Sequence, residues 1–114
     1  MYVDVMIAAV PNGSKEAYLA YARQVDALFM EYGAQAIVEN WADDVPEGKE
    51  TDFRRAVKAS ADETVAIGWV IWSDKAKRDA AWDKLMNDER MATMKMPYDG
   101  KRMIYGGFET ILQV

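Results

Sequence analysis

The sequence predicts a single α+β domain over residues 1–114, with the element order β-α-β-β-α-β. This order is the ferredoxin-like arrangement, a four-stranded antiparallel sheet with both helices on one face. Two observations support it. Strand-length runs of β-branched and apolar residues alternate with two segments in which apolar residues recur every three or four positions. Hydrophobic residues make up 51% of the chain and charged residues 29%, which is typical of one folded domain of this length.

The first half of the chain predicts a strand, a helix and a second strand. Tyr2–Val10 is apolar apart from Asp4, so it indicates a strand that is covered at least in part on both faces. A long amphipathic helix follows, with Ser14 as the expected N-cap and Gly33 at its C-terminal end. Ala36–Ala42 then alternates as a strand does, which places successive side chains on opposite faces.

The middle of the chain contains one ambiguous segment and two clear ones. Thr51–Ala59 fits either a short helix or an edge strand, with the helix favoured. Val65–Trp72 predicts the third strand, because it is short, apolar and rich in β-branched and aromatic residues. Ser73 or Asp74 is the expected N-cap of a second long helix that runs through Asn87.

The C-terminal part of the chain predicts the last strand. Asp88 begins a short turn, and Pro97–Gly100 has the composition of a second turn. Arg102–Leu112 follows as the fourth strand of the sheet. Because adjacent glycines weaken a strand and often mark a bulge, Gly106 and Gly107 predict a bulge within it.

The predicted sheet has more apolar surface than its own helices can cover. In the third strand, Trp69 shares one face with Ile67 and Ile71, while Val70 and Trp72 lie on the other. The two helices cover only one face, and leaving the second face in water is costly at roughly 25 cal/mol per Å². A second copy of the chain, packed sheet against sheet, is the economical cover, so we expect a homodimer.

Composition excludes several classes of function. The chain contains no Cys and no His, which removes thiolate and imidazole chemistry, disulfides and the usual zinc and haem ligands. We therefore expect no cofactor and no metal. A net charge of −5 disfavours a nucleic-acid partner. The N-terminus does not resemble a signal peptide, and the longest apolar run, Val65–Trp72, is too short to span a membrane. A cytoplasmic protein is expected.

Two stretches of sequence resemble a known family. One is Met96–Glu109, which contains the run Gly-Lys-Arg-Met-Ile-Tyr-Gly-Gly-Phe, and the other is Glu39–Pro46 with its continuation Thr51–Ala59. Both are similar to the YbaA-like family of small bacterial proteins of unknown function. The short segment Asp88–Met91 fits as well, with Glu89 where proline is usual. The resemblance covers nearly the whole chain. It implies the dimeric α/β-barrel form of the ferredoxin-like fold, but it implies no reaction, substrate or catalytic residue.

The leading hypothesis is a homodimeric protein that binds a small molecule in an apolar or aromatic pocket. Whether it is an enzyme is left open. One alternative is a cofactor-independent oxygenase or isomerase that acts on a small aromatic or apolar substrate. This reaction needs donors that hold an anion in a dry pocket, and such donors are available at Asn40, Trp41, Trp69, Arg102 and Tyr105. The favoured explanation of the two tryptophans is nevertheless that they are core or interface aromatics, as large aromatic residues usually are. A protein-interaction module is a further alternative.

Asp4 completes the set of candidate residues, because it is the one charged side chain in an otherwise apolar strand. An unpaired buried carboxylate has a raised pKa and can act as a base. The structural alternative is that Asp4 lies at the strand end or pairs with Arg55 or Arg102. Glu39 raises the same question, because it shares a face with Trp41. The candidate ligand-binding residues are Asp4, Asn40, Trp41, Trp69, Arg102 and Tyr105.

Overall fold

The computed structural model describes all residues from 1 to 114 and contains one four-stranded antiparallel sheet. The strand order is β2-β3-β1-β4, so the two ten-residue strands β1 and β3 lie at the centre. The predicted α+β, ferredoxin-like fold is therefore confirmed. The strands are β1 (Tyr2–Pro11), β2 (Ala36–Trp41), β3 (Glu63–Trp72) and β4 (Ile104–Glu109).

Two long helices pack on one face of the sheet. They are α1 (Lys15–Glu31) and α3 (Lys75–Met86), and both contribute to the core that contains Trp72. Asp74 caps α3 by accepting the backbone N–H of Lys77 over 2.8 Å. A short fourth helix, α4 (Glu89–Thr93), follows. None of these helices combines the length and the hydrophobicity needed to cross a membrane.

The two ends of α1 differ in how well the sequence predicted them. Gly33 has a φ of 115° just after the helix, so the expected glycine stop is present. Ser14 makes no side-chain capping hydrogen bond, because Asn12–Ser14 forms a 3₁₀ turn that leads directly into the helix. Ser14 therefore occupies the expected N-cap position of α1, but its side chain does not cap the helix.

The ambiguous segment forms a short helix, α2 (Phe53–Ala56), in which Asp52 accepts the backbone N–H of Arg55 over 2.7 Å. Val57, at the end of α2, is fully buried against Ala9 and Val65. Ala9 and Val65 lie on the side of the sheet opposite α1 and α3, because strand residues alternate between faces. The chain therefore covers one end of its own second face, which the sequence analysis did not anticipate.

The last strand is shorter and more regular than predicted. It begins at Ile104 and ends at Glu109, and its glycines pair in register with β1, Gly106 with Val5 and Gly107 with Asp4. The predicted bulge is therefore wrong. Gly107 instead allows the Tyr2 side chain to lie close to the backbone of β4, because a Cβ at position 107 would lie 2.4 Å from the hydroxyl oxygen of Tyr2.

The rest of the second face, which we call the outer face, is apolar and partly exposed. Its cross-strand rows place Trp69 between Val5 and Val38. The most exposed apolar residues are at the two edges, Phe108 at 59% and Ile104 at 42% on β4, and Val38 at 38% on β2. The outer face consists of Val3, Val5, Ile7, Val38, Asn40, Ile67, Trp69, Ile71, Ile104 and Phe108.

Candidate functional site

Asp4 is 3% exposed and its carboxylate is fully occupied by hydrogen-bond donors. The indole N–H groups of Trp72 and Trp82 donate to Oδ2 over 2.8 and 3.0 Å. The guanidinium of Arg78 donates from Nη2 to Oδ1 over 2.7 Å and from Nε to Oδ2 over 3.0 Å. The ion-pair partner of Asp4 is thus Arg78 of α3, and neither of the two arginines suggested by the sequence. This arrangement satisfies a buried charge and leaves little capacity to bind a substrate.

Arg102 is engaged at the opposite end of β1. Its Nη1 and Nη2 donate to the two carboxylate oxygens of Glu63 over 2.7 Å each, and its Nε donates to Asp99 over 3.0 Å. This bidentate pair, helped by the backbone N–H of Ser60, lowers the pKa of Glu63 to about 2. Arg102 therefore ties the segment before β4 to the start of β3.

The other four candidates lie on different surfaces. Asn40 and Trp69 are on the outer face, where the amide of Asn40 donates to the carbonyl of Ile67 over 3.1 Å. Trp41 is on the helix side, and its ring centroid lies 5.9 Å from that of Tyr18. Tyr105 is 74% exposed on edge strand β4.

The six candidates therefore do not share one site. Asp4 and Tyr105 border the same depression of about 480 Å³ between α3 and β4, and its charged groups, Asp4 and Arg78, pair with each other. None of the six lines the cavity that lies between the sheet and α1.

This second space, the sheet–helix cavity, has a volume of about 290 Å³. Fourteen of its sixteen lining residues are hydrophobic, and the remaining two are acids. It lies between the core around Trp72 and the smaller cluster around Val10. Its lining residues are Met6, Ala8, Tyr18, Tyr21, Ala22, Val25, Asp26, Phe29, Glu39, Ala66, Trp82, Met91, Met94, Met96, Tyr98 and Met103.

The two acids, Asp26 of α1 and Glu39 of β2, form what we call the carboxyl pair. The hydroxyl of Tyr18 donates to Glu39 Oε1 over 2.7 Å. Burial, then the hydrogen bond and charge of Glu39, raise the pKa of Asp26 to about 8. Asp26 therefore retains its proton at neutral pH, which avoids two adjacent negative charges in an apolar space. No Lys or Arg is among the lining residues.

A glycine in β3 makes room for the carboxyl pair. Gly68 pairs in register with Met6 on one side and with Glu39 on the other. A Cβ at Gly68 would lie 2.4 Å from Glu39 Oε1, closer than real contacts allow. The missing side chain at the centre of the sheet thus lets the Glu39 carboxylate fold inward over β3.

Aromatic rings form much of the wall. Tyr98 lies with its ring centroid 6.1 Å from Tyr18 and 6.0 Å from Tyr21, the latter in an edge-to-face arrangement. Phe29 meets Trp82 edge to face at 5.2 Å. Burial raises the pKa values of the Tyr18 and Tyr98 phenols far above neutrality, so both remain uncharged. Because Trp82 directs its N–H to Asp4, its polar edge is already satisfied.

The segment around α4 completes the wall with methionines and is fixed to α1 at one end. The hydroxyl of Tyr32 donates to Asp88 Oδ2 over 2.6 Å, and Arg90 bridges Asp88 and Glu31. This attachment holds Met91, Met94 and Met96 against the cavity.

Asp26 and the tyrosines are the site residues that the sequence analysis missed. By their spacing, Tyr18 and Tyr21 are ordinary core positions of an amphipathic helix, and Asp26 is a single polar residue beside them. A signal was present, because Asp26 lies four residues after Ala22 and eight after Tyr18, inside the apolar stripe of α1. A carboxylate at a stripe position is a candidate for a buried, functional acid.

Comparison with known families and curated proteins gives a consistent result. Residues 1–100 match the profile of a family described as "Protein of unknown function (DUF1428)". The chain is 53% identical over 113 residues to the uncharacterized protein YbaA of Escherichia coli K12, covering 97% of each chain. It is equally identical to the uncharacterized YbaA of Shigella flexneri.

Solved structures share the fold at low sequence identity. A dimeric ferredoxin-like protein from an uncultured marine organism has a TM-score of 0.62 at 9% identity, covering 99% of this chain and 97% of its own. An uncharacterized NIPSNAP domain protein from Burkholderia xenovorans has a TM-score of 0.58 at 12% identity, covering 96% and 94%. At such identities these likenesses establish the fold alone.

Proposed function

Because the chain belongs to the DUF1428 family, whose function is unknown, we propose a function from the geometry of the chain itself. Membership of this family confirms the resemblance to YbaA-like proteins. The protein binds a small molecule with an apolar or aromatic body in the sheet–helix cavity, and the polar group of that molecule meets the carboxyl pair.

One observation carries this proposal: a largely apolar cavity with a few convergent polar groups at one place. Ligand sites have this composition, in which apolar walls supply affinity and a few polar groups fix orientation. The volume of about 290 Å³ corresponds to roughly ten water molecules at ~30 Å³ each, so a ligand of about ten heavy atoms fits. Empty apolar cavities destabilise a fold, and a ligand would restore the missing contacts.

The methionines provide the test. Five of the eight methionines line the cavity and three lie outside it, so methyl-labelled methionine NMR distinguishes cavity binding from surface binding. Titration with the neutral probe 2-phenylethanol is expected to shift the signals of the five cavity methyls and to leave the others unchanged. Shifts confined to the outside methyls, or none at all, would contradict the proposal. The outside methyls belong to Met1, Met30 and Met86.

The protein is also proposed to be a homodimer through the outer face. Cross-strand rows of Ile and Val around Trp69 leave a partly exposed apolar surface between the edges at Val38 and Phe108. The structural neighbour from a marine organism is described as dimeric, which supports the same arrangement here. Sedimentation equilibrium at micromolar concentration is expected to give twice the 12.9 kDa mass of one chain. A 12.9 kDa species would contradict the dimer.

A pair of lysine substitutions locates the interface. Phe108→Lys places a charge on the outer face and is expected to yield a monomer. Met30→Lys places the same charge on an exposed position of α1 and is expected to leave the dimer intact. Dissociation by the second variant and not the first would place the interface on the helices.

We favour ligand binding over catalysis by an oxygenase or isomerase whose site is built from the residues that the sequence suggested. That alternative needs Asp4, Asn40, Trp41 and Arg102 around one substrate, and the donors of Asn40 and Arg102 are engaged far apart, with Ile67 and Glu63. The alternative of a protein-interaction module has separate support in the exposed apolar residues Ile111 and Leu112 beyond β4.

A further inference from the structure

We propose that the ligand of the sheet–helix cavity is a small organic amine in its protonated form, with an aromatic or apolar body and an ammonium group that binds at Glu39. This inference rests on the proposed function, because it names the chemical class of the molecule that the same cavity holds. It is argued from the charge of the cavity, the free acceptor positions of Glu39 and the aromatic wall.

The cavity contains acidic groups and no cation of its own. The acidic residues that line it are Asp26 and Glu39, and no Lys or Arg lines it. Other shielded carboxylates in this chain have cationic partners, since the buried Asp4 has Arg78 and the half-buried Glu63 has Arg102. A buried charge without a counterion is costly, so an ammonium group from outside supplies the partner that this wall lacks. A carboxylate ligand would instead add a further negative charge.

Glu39 has acceptor capacity left for an ammonium group. An ionised carboxylate has about four lone-pair sites, and the hydroxyl of Tyr18 takes one of them on Oε1. The hydrogen bond with Asp26 takes another. An ammonium group brings only donors, and its hydrogen bonds to a carboxylate are charge-assisted and about twice as strong as neutral ones.

The aromatic wall suits the same ligand. Tyr18, Tyr21 and Tyr98 surround the polar end with centroid separations near 6 Å, and Phe29 and Trp82 form the wall farther along. The faces of neutral aromatic rings attract cations, and the attraction increases when water is excluded. The same rings pack against the apolar body of the ligand.

Proton release provides a signature specific to a cation. Asp26 faces Glu39 from β2, Tyr18 and Tyr21 from its own helix, and Tyr98 from the loop before β4, and none of them is cationic. Because its pKa is raised to about 8, Asp26 is mostly protonated at pH 7. An ammonium group nearby favours the ionised form, so binding releases a proton and the affinity for the amine rises between pH 7 and pH 8.5. An alkylamine stays protonated in this range, as lysine does with a pKa of about 10.4.

Three probes of nearly the same shape test the proposal on the full chain. They are 2-phenylethylamine, 2-phenylethanol and phenylacetate, each titrated at pH 7 and pH 8.5 while the five cavity methionine methyls are followed. The amine is expected to bind at least about tenfold more tightly than the alcohol, with phenylacetate weakest. Only the amine is expected to gain affinity at the higher pH.

Matched variants separate the roles of the two acids. Glu39→Gln removes the charge and is expected to abolish the preference for the amine while the alcohol still binds, which shows that the cavity remains folded. Asp26→Asn is expected to remove the pH dependence of amine affinity. Asp83→Asn, an exposed position of α3, provides the control and is expected to change neither.

The outcomes distinguish this inference from the proposed function. If the alcohol or phenylacetate binds as tightly as the amine, or if Glu39→Gln keeps the amine preference, the amine assignment is wrong and cavity binding stands. If none of the three probes shifts the cavity methyls, the proposed function is overturned and the amine assignment falls with it.

Discussion

The hydroxyl group of Tyr18 lies 2.7 Å from Oε1 of Glu39 and donates a hydrogen bond that joins the first turns of α1 to edge strand β2. Both side chains are at least partly buried, and Glu39 has no cation beside it. The hydrogen bond therefore holds the carboxylate at one end of the cavity.

Removal of the Tyr18 hydroxyl is expected to destabilise the fold. Tyr18→Phe keeps the ring and leaves a half-buried acceptor short of one donor, which costs about 1–3 kcal/mol of the free energy of unfolding. Urea denaturation followed by circular dichroism measures the change. Tyr105→Phe is the matched control, because its ring is 74% exposed, and a change within about 0.5 kcal/mol is expected there. Equal effects of the two variants would contradict the role of the hydrogen bond.

Stability is expected to fall as the pH rises from about 4 towards 8. Asp26 has a folded-state pKa raised above its unfolded value, so the folded chain binds more protons than the unfolded chain in this window. The contribution of Asp26 is fully present below the unfolded pKa and is lost as the pH passes through the folded pKa. Unfolding free energies at pH 5, 7 and 9 are expected to fall less steeply in Asp26→Asn than in the natural chain. Parallel pH profiles would contradict the prediction.

A methyl group at Gly68 is expected to displace Glu39. Gly68→Ala places a Cβ 2.4 Å from Glu39 Oε1, and such overpacking costs about 1–3 kcal/mol. Gly13→Ala is the control, since a Cβ there meets no atom within 4 Å. The double variant with Glu39→Ala provides a second check, because the Gly68 substitution should cost less once the long side chain is absent. An unchanged cost in that background would show that the contact is not the cause.

Loss of the Asp4 charge is expected to be the most destabilising of these changes. Asp4→Asn leaves the half-buried guanidinium of Arg78 with only the exposed Asp79 as an ion-pair partner and costs about 3–5 kcal/mol. Asp83→Asn, on the exposed side of α3, is expected to stay within about 0.5 kcal/mol. Thermal unfolding by calorimetry provides the comparison. A loss below about 1 kcal/mol for Asp4→Asn would show that the remaining pair with Asp79 is enough for Arg78.

Local patterns predicted the strands and the relative faces of their residues, because side chains alternate along a strand whatever the tertiary context. Glu39 was expected on the face of Trp41 and opposite Asn40, and the pairing of β2 with β3 confirms this. Which face is inward depends on where the helices pack, and no local pattern contains that information. The same limit applies to Asp4, whose partner Arg78 lies 74 residues away along the chain.

The sequence prediction failed at two positions, the glycines of β4 and Asp26 of α1, because the role of each residue depends on its neighbours in the fold. The glycines of β4 were interpreted as a bulge, whereas Gly107 provides space for the Tyr2 ring. Asp26 was hidden among the apolar residues of α1, because a single polar residue hardly alters the helical periodicity. Both positions become intelligible only when the neighbouring side chains are known.

The large share of methionine in the cavity wall has a consequence for selectivity. Methionine is unbranched and has three rotatable bonds, so a wall built from Met91, Met94, Met96 and their neighbours can rearrange around bodies of different outline. For the ligand that we propose, such a wall would discriminate poorly by shape, whereas the fixed groups at Glu39 and Tyr18 would select one kind of polar group. The protein is therefore expected to tolerate different hydrocarbon bodies in its ligands but to require one kind of polar head group. We expect it to bind a series of related compounds and not a single one.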